Sequence, residues 1–241
     1  MIAHILFEGS STAAGYGDES ERMGYAGRAA YYYRKHNLQV VHNPDIPRNF
    51  VYTHLHGQPD NYLPQFVDTL PQHIAEARWS VKSGDDIRMV GVFAIGGFLA
   101  GYVSRYGEEE TLLYWRRSLR QLEQVCREGP RDIEPIVLAL PTPGPNARLA
   151  NGKEPDFEFR NKLARLALES TDNWATYVDL DDIVGNDRAR YIAKDDMHPT
   201  AAGYDEVSRH LIVLIDDKLG LEPLARERED ALLGRDGAFA I

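Results

Sequence analysis

The sequence predicts an α/β fold, a parallel sheet of five strands covered by helices on both faces in a three-layer α/β/α arrangement. Three observations carry that expectation. Short runs that are apolar almost throughout, led by Ile87-Arg88-Met89-Val90-Gly91-Val92-Phe93-Ala94-Ile95, have the composition of strands buried on both faces. Stretches with an apolar stripe at helical spacing lie between them, and that alternation is the pattern of parallel strands joined by crossover helices. At 241 residues the chain can bury a sizeable core, and one α/β domain suits this length better than two small ones.

Taken in order, residues 2–7 form the first strand, which stops abruptly in the small-residue turn Gly9-Ser10-Ser11-Thr12-Ala13-Ala14-Gly15. A helix is expected over 19–36, with Met23, Ala26, Ala30 and Tyr33 on one side, and the consecutive tyrosines 31–33 read as packing residues. Residues 38–42 read as the second strand, and 43–49, with Pro44 and Pro47, as a loop. Helical spacing returns at Phe66, Leu70, Ile74 and Ala77, where Pro64 and Pro71 demand an N-terminal position, a kink or a break. The strongest strand, 87–95, ends at Gly96-Gly97. A long amphipathic helix over 109–127 turns Leu112, Trp115, Leu119, Leu122 and Val125 inward. A fourth strand at 135–140 runs into the proline-rich loop 141–145, followed by a helix over 157–168 and a fifth strand over 174–180. The last helix, 201–219, carries the stripe Val207, Leu211, Leu214, Ile215 and Leu219, with Thr200 as its N-cap. Residues 1–219 thus form the domain. Residues 220–241 form a tail with a mixed charge run, either mobile or at a contact between subunits of a homo-oligomer.

The formal net charge of −10 argues against nucleic acid or an anionic membrane surface as partner, since both are bound chiefly through clustered Lys and Arg. A small-molecule substrate fits better. The single cysteine, Cys126, permits no internal disulfide, and its helical, charged surroundings do not suggest a nucleophile. The N-terminus lacks the basic segment and apolar region of a secretory signal, and no run approaches the ~20 apolar residues that span a bilayer. A cytoplasmic protein without a membrane span is therefore expected. His54 and His56 share a face if their segment is a strand, but no carboxylate-histidine set of recognisable spacing lies near them. They read as surface or loop histidines, and neither a metal nor another cofactor is expected.

Ser11 lies just past the first strand, at the carboxyl edge where open α/β sheets place their ligands. A serine hydroxyl attacks esters poorly unless a base takes its proton, and the base works best when a carboxylate fixes its tautomer. His198 and Asp195 supply those two roles from one loop. Three residues apart, the carboxylate can reach Nδ1 while Nε2 points toward the serine. Each signal taken alone also fits a plain structural role, Ser11 as a turn residue and Asp195 to His198 as a helix entrance. A shift of one residue in the turn would exchange Ser11 with Ser10.

Together, a serine directly after the first strand, a glycine-ended central strand and Asp195-x-x-His198-Pro199-Thr200-x-x-Gly203-Tyr204 before the final helix resemble the SGNH/GDSL hydrolase family, in the same order. The resemblance implies a flavodoxin-like sheet of order 2-1-3-4-5, esterase or acyl-transfer activity on a small-molecule ester, Ser11 as nucleophile, His198 as base and Asp195 as its orienting partner. The middle blocks depart from the family's pattern. The segment from Asn43 to Arg48 has no glycine where the family's second block carries an oxyanion donor, and Gly96-Gly97-Phe98-Leu99 puts Phe98 where the third block has an asparagine. Substitute donors are the backbone N–H groups of Ser11 and Gly97 or the side-chain amides of Asn43 and Asn49. Asp45, Phe98 and Pro143 are the expected cleft wall. The alternative functions are a binding protein on the same fold, without turnover, and an acyltransferase or deacetylase acting on a carbohydrate or other alcohol.

Overall fold

Strand β1 (Ile2–Glu8) is buried on both faces, and its alternating side chains divide the core in two. The computed structural model describes residues 1–20, 22–42, 48–58, 62–79, 86–95, 103, 105–128, 133–148 and 157–221. After β1 come α1 (Gly24–His42), β2 (Phe50–Leu55), α2 (Leu63–Trp79), β3 (Ile87–Ile95), α3 (Glu108–Glu128), β4 (Ile133–Ala139), α4 (Phe157–Thr171) and β5 (Thr176–Asp179). Two short helices, α5 (Leu180–Val184) and α6 (Arg188–Tyr191), precede the final helix α7 (Ala201–Leu219). The strands pair in parallel in the order β2-β1-β3-β4-β5, the topology expected.

On one face Ala3, Ile5 and Phe7 pack with Tyr25 and Ala29 of α1 and with Val207, Leu211 and Ile215 of α7. On the other, Leu6 joins Phe66 and Leu70 of α2, Trp115 and Leu119 of α3 and Leu163 of α4. Tyr32 and Tyr33 are buried as packing residues and meet edge to face, 4.9 Å apart. Both phenols donate to the buried Asp216, at 3.0 and 2.9 Å. The final helix starts and stops as read from the sequence. Thr200 Oγ1 accepts from Gly203 N–H at 3.1 Å, and Gly220 closes the helix with φ of 64°.

The second strand lies elsewhere than the apolar run at 38–42 suggests. Those residues form the last turn of α1, with Val40 buried beside an exposed Val41. The strand is Phe50–Leu55, a polar edge strand paired on one side only. Asn37 of α1 takes up part of its free side: its amide donates to Val51 O at 2.7 Å, and its oxygen accepts from Val51 N–H at 2.9 Å. Pro71 is accommodated inside α2 rather than ending it. Among the described residues no helix is long and apolar enough to cross a membrane. The tail beyond residue 221 lies outside the described residues.

Asn37→Ala removes both bonds to the edge strand, leaving two backbone groups of Val51 unsatisfied at a cost of about 1–3 kcal/mol. Urea denaturation should show that loss, with faster hydrogen exchange at the Val51 amide; an unchanged midpoint and exchange rate would refute the role given to Asn37.

Candidate active site

The turn after β1 is built by glycine. Gly9 has φ of 149°, and a Cβ there would lie 2.6 Å from Ala94 Cβ on the neighbouring strand. Gly15, at φ of 85°, abuts the backbone of Met23 and Gly24, which closes residues 10–17 into a compact knot. Within it Ala14 N–H donates to Ser10 O and Tyr16 N–H to Ser11 O, both at 3.0 Å.

The loop from Ile192 to Pro199 reaches this knot from the far end of the chain. An antiparallel bridge between Ile192 and Pro199 pinches it, and Ala193 N–H donates to His198 O at 2.7 Å. His198 Nε2 lies 2.9 Å from Ser11 Oγ, and Nδ1 lies 2.6 Å from Asp195 Oδ2. Asp195 Oδ1 accepts from the N–H groups of Met197 and His198, at 3.0 Å each. Burial opposes ionisation of Asp195, but the bonds from the His198 ring and from the backbone N–H groups of His198 and Met197 outweigh it, and the carboxyl is held down to about 2. An ionised Asp195 keeps the imidazole proton on Nδ1, leaving Nε2 to accept from the Ser11 hydroxyl. Ser10 is buried, and its hydroxyl meets no partner among the described residues. The serine that faces His198 is therefore Ser11.

An ionic cluster invisible at the level of motifs fixes both halves of this arrangement. The buried Arg28 of α1 bonds Asp18 at the end of the turn through both terminal nitrogens, and its Nε donates to Asp205 of α7 at 2.5 Å. The same guanidinium donates to Ala201 O, where α7 begins, and to Gly24 O. Asp18 in turn accepts from Gly24 N–H at 2.9 Å. Burial opposes the charge on Asp18, yet the Arg28 and Ser20 hydrogen bonds and the Arg28 charge overcome it and lower its pKa. Tyr204 adds a further tie, its hydroxyl donating to Tyr16 O at 2.6 Å.

The proline-rich loop after β4 is bound to the Ile192–Pro199 loop, again through a residue that sequence reading missed. Gly144 N–H donates to Asp196 O at 2.7 Å and Asn146 N–H to Asp196 Oδ2 at 3.1 Å. Arg188 joins them, with Nη1 on Thr142 O at 2.8 Å and Nη2 on Asp196 Oδ1 at 3.0 Å. Pro143 is buried within this loop, beside the site. Asn43, Asp45, Gly97 and Phe98 lie outside the described residues. Asn49 is placed at the wrong edge of the sheet: it precedes β2, whose first residue pairs with Ile2, so a strand of roughly 20 Å separates it from Ser11. The segment that does follow β2 at the carboxyl edge is His56-Gly57-Gln58, and it contains the glycine that 43–48 lacks. His56 and Gln58 donate to Phe7 O and Gly9 O, and Gly57 sits against the backbone of Ala13 and Ala14.

Of the two histidines read as surface or loop residues, His54 lies within β2 and His56 in the loop after it, both half-buried and each beside another histidine. His54 Nε2 lies 2.9 Å from His4 Nδ1, and His56 stacks on His73 of α2, ring centres 3.7 Å apart. His73 Nδ1 lies 2.7 Å from Oε1 of Glu8, the last residue of β1. A carboxylate-histidine set is therefore present, assembled across three elements. Cys126 is buried in α3, and burial together with Glu123 pushes its thiol up to about 12, as suits an inert packing residue.

No family model matches the sequence, and no curated protein matches it. Solved structures do match in fold. An aryl esterase from M. smegmatis superposes with a TM-score of 0.60 at 13% identity, covering 89% of this chain and 98% of that one. A carbohydrate acetylesterase family member from Sinorhizobium meliloti gives 0.57 at 15%, covering 90% and 99%. A member of the lipolytic protein G-D-S-L family from Veillonella parvula gives 0.53 at 10%, covering 89% and 98%. The chain has the SGNH/GDSL hydrolase fold. In the terms of that fold, the Ser11 turn follows the first strand and the Asp195–His198 loop enters the last helix.

The Arg28 cluster makes the knot sensitive to acid. Because the Asp18 pKa is lowered on folding, its contribution is full above the unfolded value near ~3.9 and fades as pH falls through the lower folded value. Asp18→Asn should cost about 3–5 kcal/mol at neutral pH by leaving the guanidinium short of charge, and should flatten the loss of stability below about pH 4. Chemical denaturation at a series of pH values checks both, and a variant with the wild-type acid limb would contradict the assignment.

Proposed function

We propose that this protein is a serine-dependent hydrolase of carboxylic esters, working through an acyl-enzyme. The observation that carries the reading is the continuous hydrogen-bonded line from Ser11 Oγ through His198 to an ionised Asp195. His198 Nε2 takes the Ser11 proton as Oγ attacks the acyl carbon, and returns it to the departing alkoxide. Asp195 holds the ring and stabilises the imidazolium formed in each half-reaction. Water, deprotonated by His198, then attacks the acyl-enzyme and releases the acid and free Ser11. The esterases of the same fold support this chemistry.

A tetrahedral intermediate needs donors aimed at its oxyanion. The Ser11 N–H meets no acceptor among the described residues and is assigned as one. Gly57, which follows β2 at the same edge and whose flanking backbone N–H groups are spent on Phe7 O and Gly9 O, is the second candidate. Such donors are each worth about 10² to 10³ in rate.

Short p-nitrophenyl esters test the proposal. Wild-type protein should turn them over, Ser11→Ala and His198→Ala should abolish turnover, and Asp195→Asn should lower kcat by about 10⁴ through the wrong tautomer. Ser10→Ala should remain active. A wild-type protein inert toward a panel of acyl and aryl esters would favour a binding role, and activity surviving Ser11→Ala would overturn the mechanism.

A further inference from the structure

The cluster at the end of β1 stands apart from the proposed triad and has a chemistry of its own. Glu8 lies on the β1 face that meets α2, His56 directly follows β2, and His73 projects from α2. One ligand atom from each lies within 4.8 Å of the other two. Glu8 is fully buried, and while its Oε1 meets His73, its Oε2 has no hydrogen-bond partner among the described residues. Leaving such an oxygen unsatisfied costs about 1–3 kcal/mol. A fully buried carboxyl group with one oxygen unpartnered is costly as a structural filler, since an apolar residue would pack there without that penalty.

We propose that Glu8, His56 and His73 form a binding site for a divalent transition-metal ion of the zinc type, which braces the end of β1 against β2 and α2. Two imidazoles and one carboxylate are a donor set that zinc takes, with water completing the shell. Donors around a tetrahedral ion at bond lengths of 2.0–2.2 Å stand roughly 3.4 Å apart. The set brackets that spacing: the contact of 2.7 Å between Glu8 and His73 opens, and the wider pairs, all within 4.8 Å, close as the side chains turn onto the ion. The rings of His56 and His73 are stacked in parallel with centres 3.7 Å apart, so their in-plane lone pairs run side by side and one ring turns out of the stack when both meet one ion.

The side chain of His73 is 18% exposed, which leaves a route in from solvent. Ser11 is not among the ligands, so the site is independent of the ester-hydrolase reading.

Titration of the chelator-stripped full chain with Zn²⁺, and separately with Co²⁺, tests the site. One ion should bind per chain and raise Tm, and Co²⁺ should give a visible absorption band. Glu8→Gln and His73→Gln should each weaken binding by more than about 100-fold, exceeding the effect of losing an outer partner. His73→Gln, on a partly exposed helix position, keeps the test valid if Glu8→Gln fails to fold. Ser11→Ala should bind as wild type. A wild-type chain that takes up neither ion, or equal affinity in wild type and His73→Gln, would overturn the proposal.

Discussion

One buried guanidinium holds the two ends of the chain together. Arg28 reaches Asp18 at the close of the turn after β1, Asp205 on the last helix and the carbonyl of Ala201 where that helix begins. The hydroxyl of Ser11 and the ring of His198 are 187 residues apart in sequence, and a contact of 2.9 Å between them demands that both backbones be fixed to a fraction of an ångström. Apolar packing alone is a poor ruler at that scale. The planar fork of arginine, satisfied at every nitrogen by acceptors from three segments, is a good one.

A second tie operates on the loop that carries Asp195 and His198. Asp196, at φ of 59°, turns its carbonyl and carboxylate toward the loop after β4, while Arg188 grips both sides. Asp181 accepts from Thr142 N–H at 2.9 Å and extends the same polar net to α5. The proposed base and its orienting carboxylate thus sit on a loop clamped on two sides, which is the preorganisation that general base catalysis requires. On the other face of β1, the buried Glu8 ends the same strand that delivers Ser11, so the proposed ion would stiffen the base of the turn without touching the reacting atoms.

The parts legible in the sequence are those with a local cause. The boundaries of β3 follow from a run that is apolar at all but Arg88, and those of α7 from a Thr cap, an apolar stripe and a closing glycine. Ser11, Asp195 and His198 were legible because two of them share one loop and the third follows the first strand. The second strand was not, because a short run with three apolar residues, Leu38, Val40 and Val41, looks alike as a buried strand and as a helix end. Its true location, Phe50–Leu55, carries Tyr52, Thr53 and His54, as an edge strand with one unpaired side can afford. That displacement also misdirected the search for a glycine to 43–48 instead of Gly57. The Glu8–His56–His73 set escaped notice for the opposite reason: its members share no motif, and Glu8 and His73 are 65 residues apart. Only the pairing of β1 with β2 and the docking of α2 bring them to one place.

The central claim is that Ser11, and no other side chain, is the nucleophile that His198 activates. Labelling the native protein with a fluorophosphonate, followed by intact-mass measurement and peptide mapping, reads this directly. The account predicts a single adduct per chain, on Ser11, formed only while His198 is present. An adduct on Ser10 or elsewhere, or none under conditions that label a known serine esterase, would contradict it.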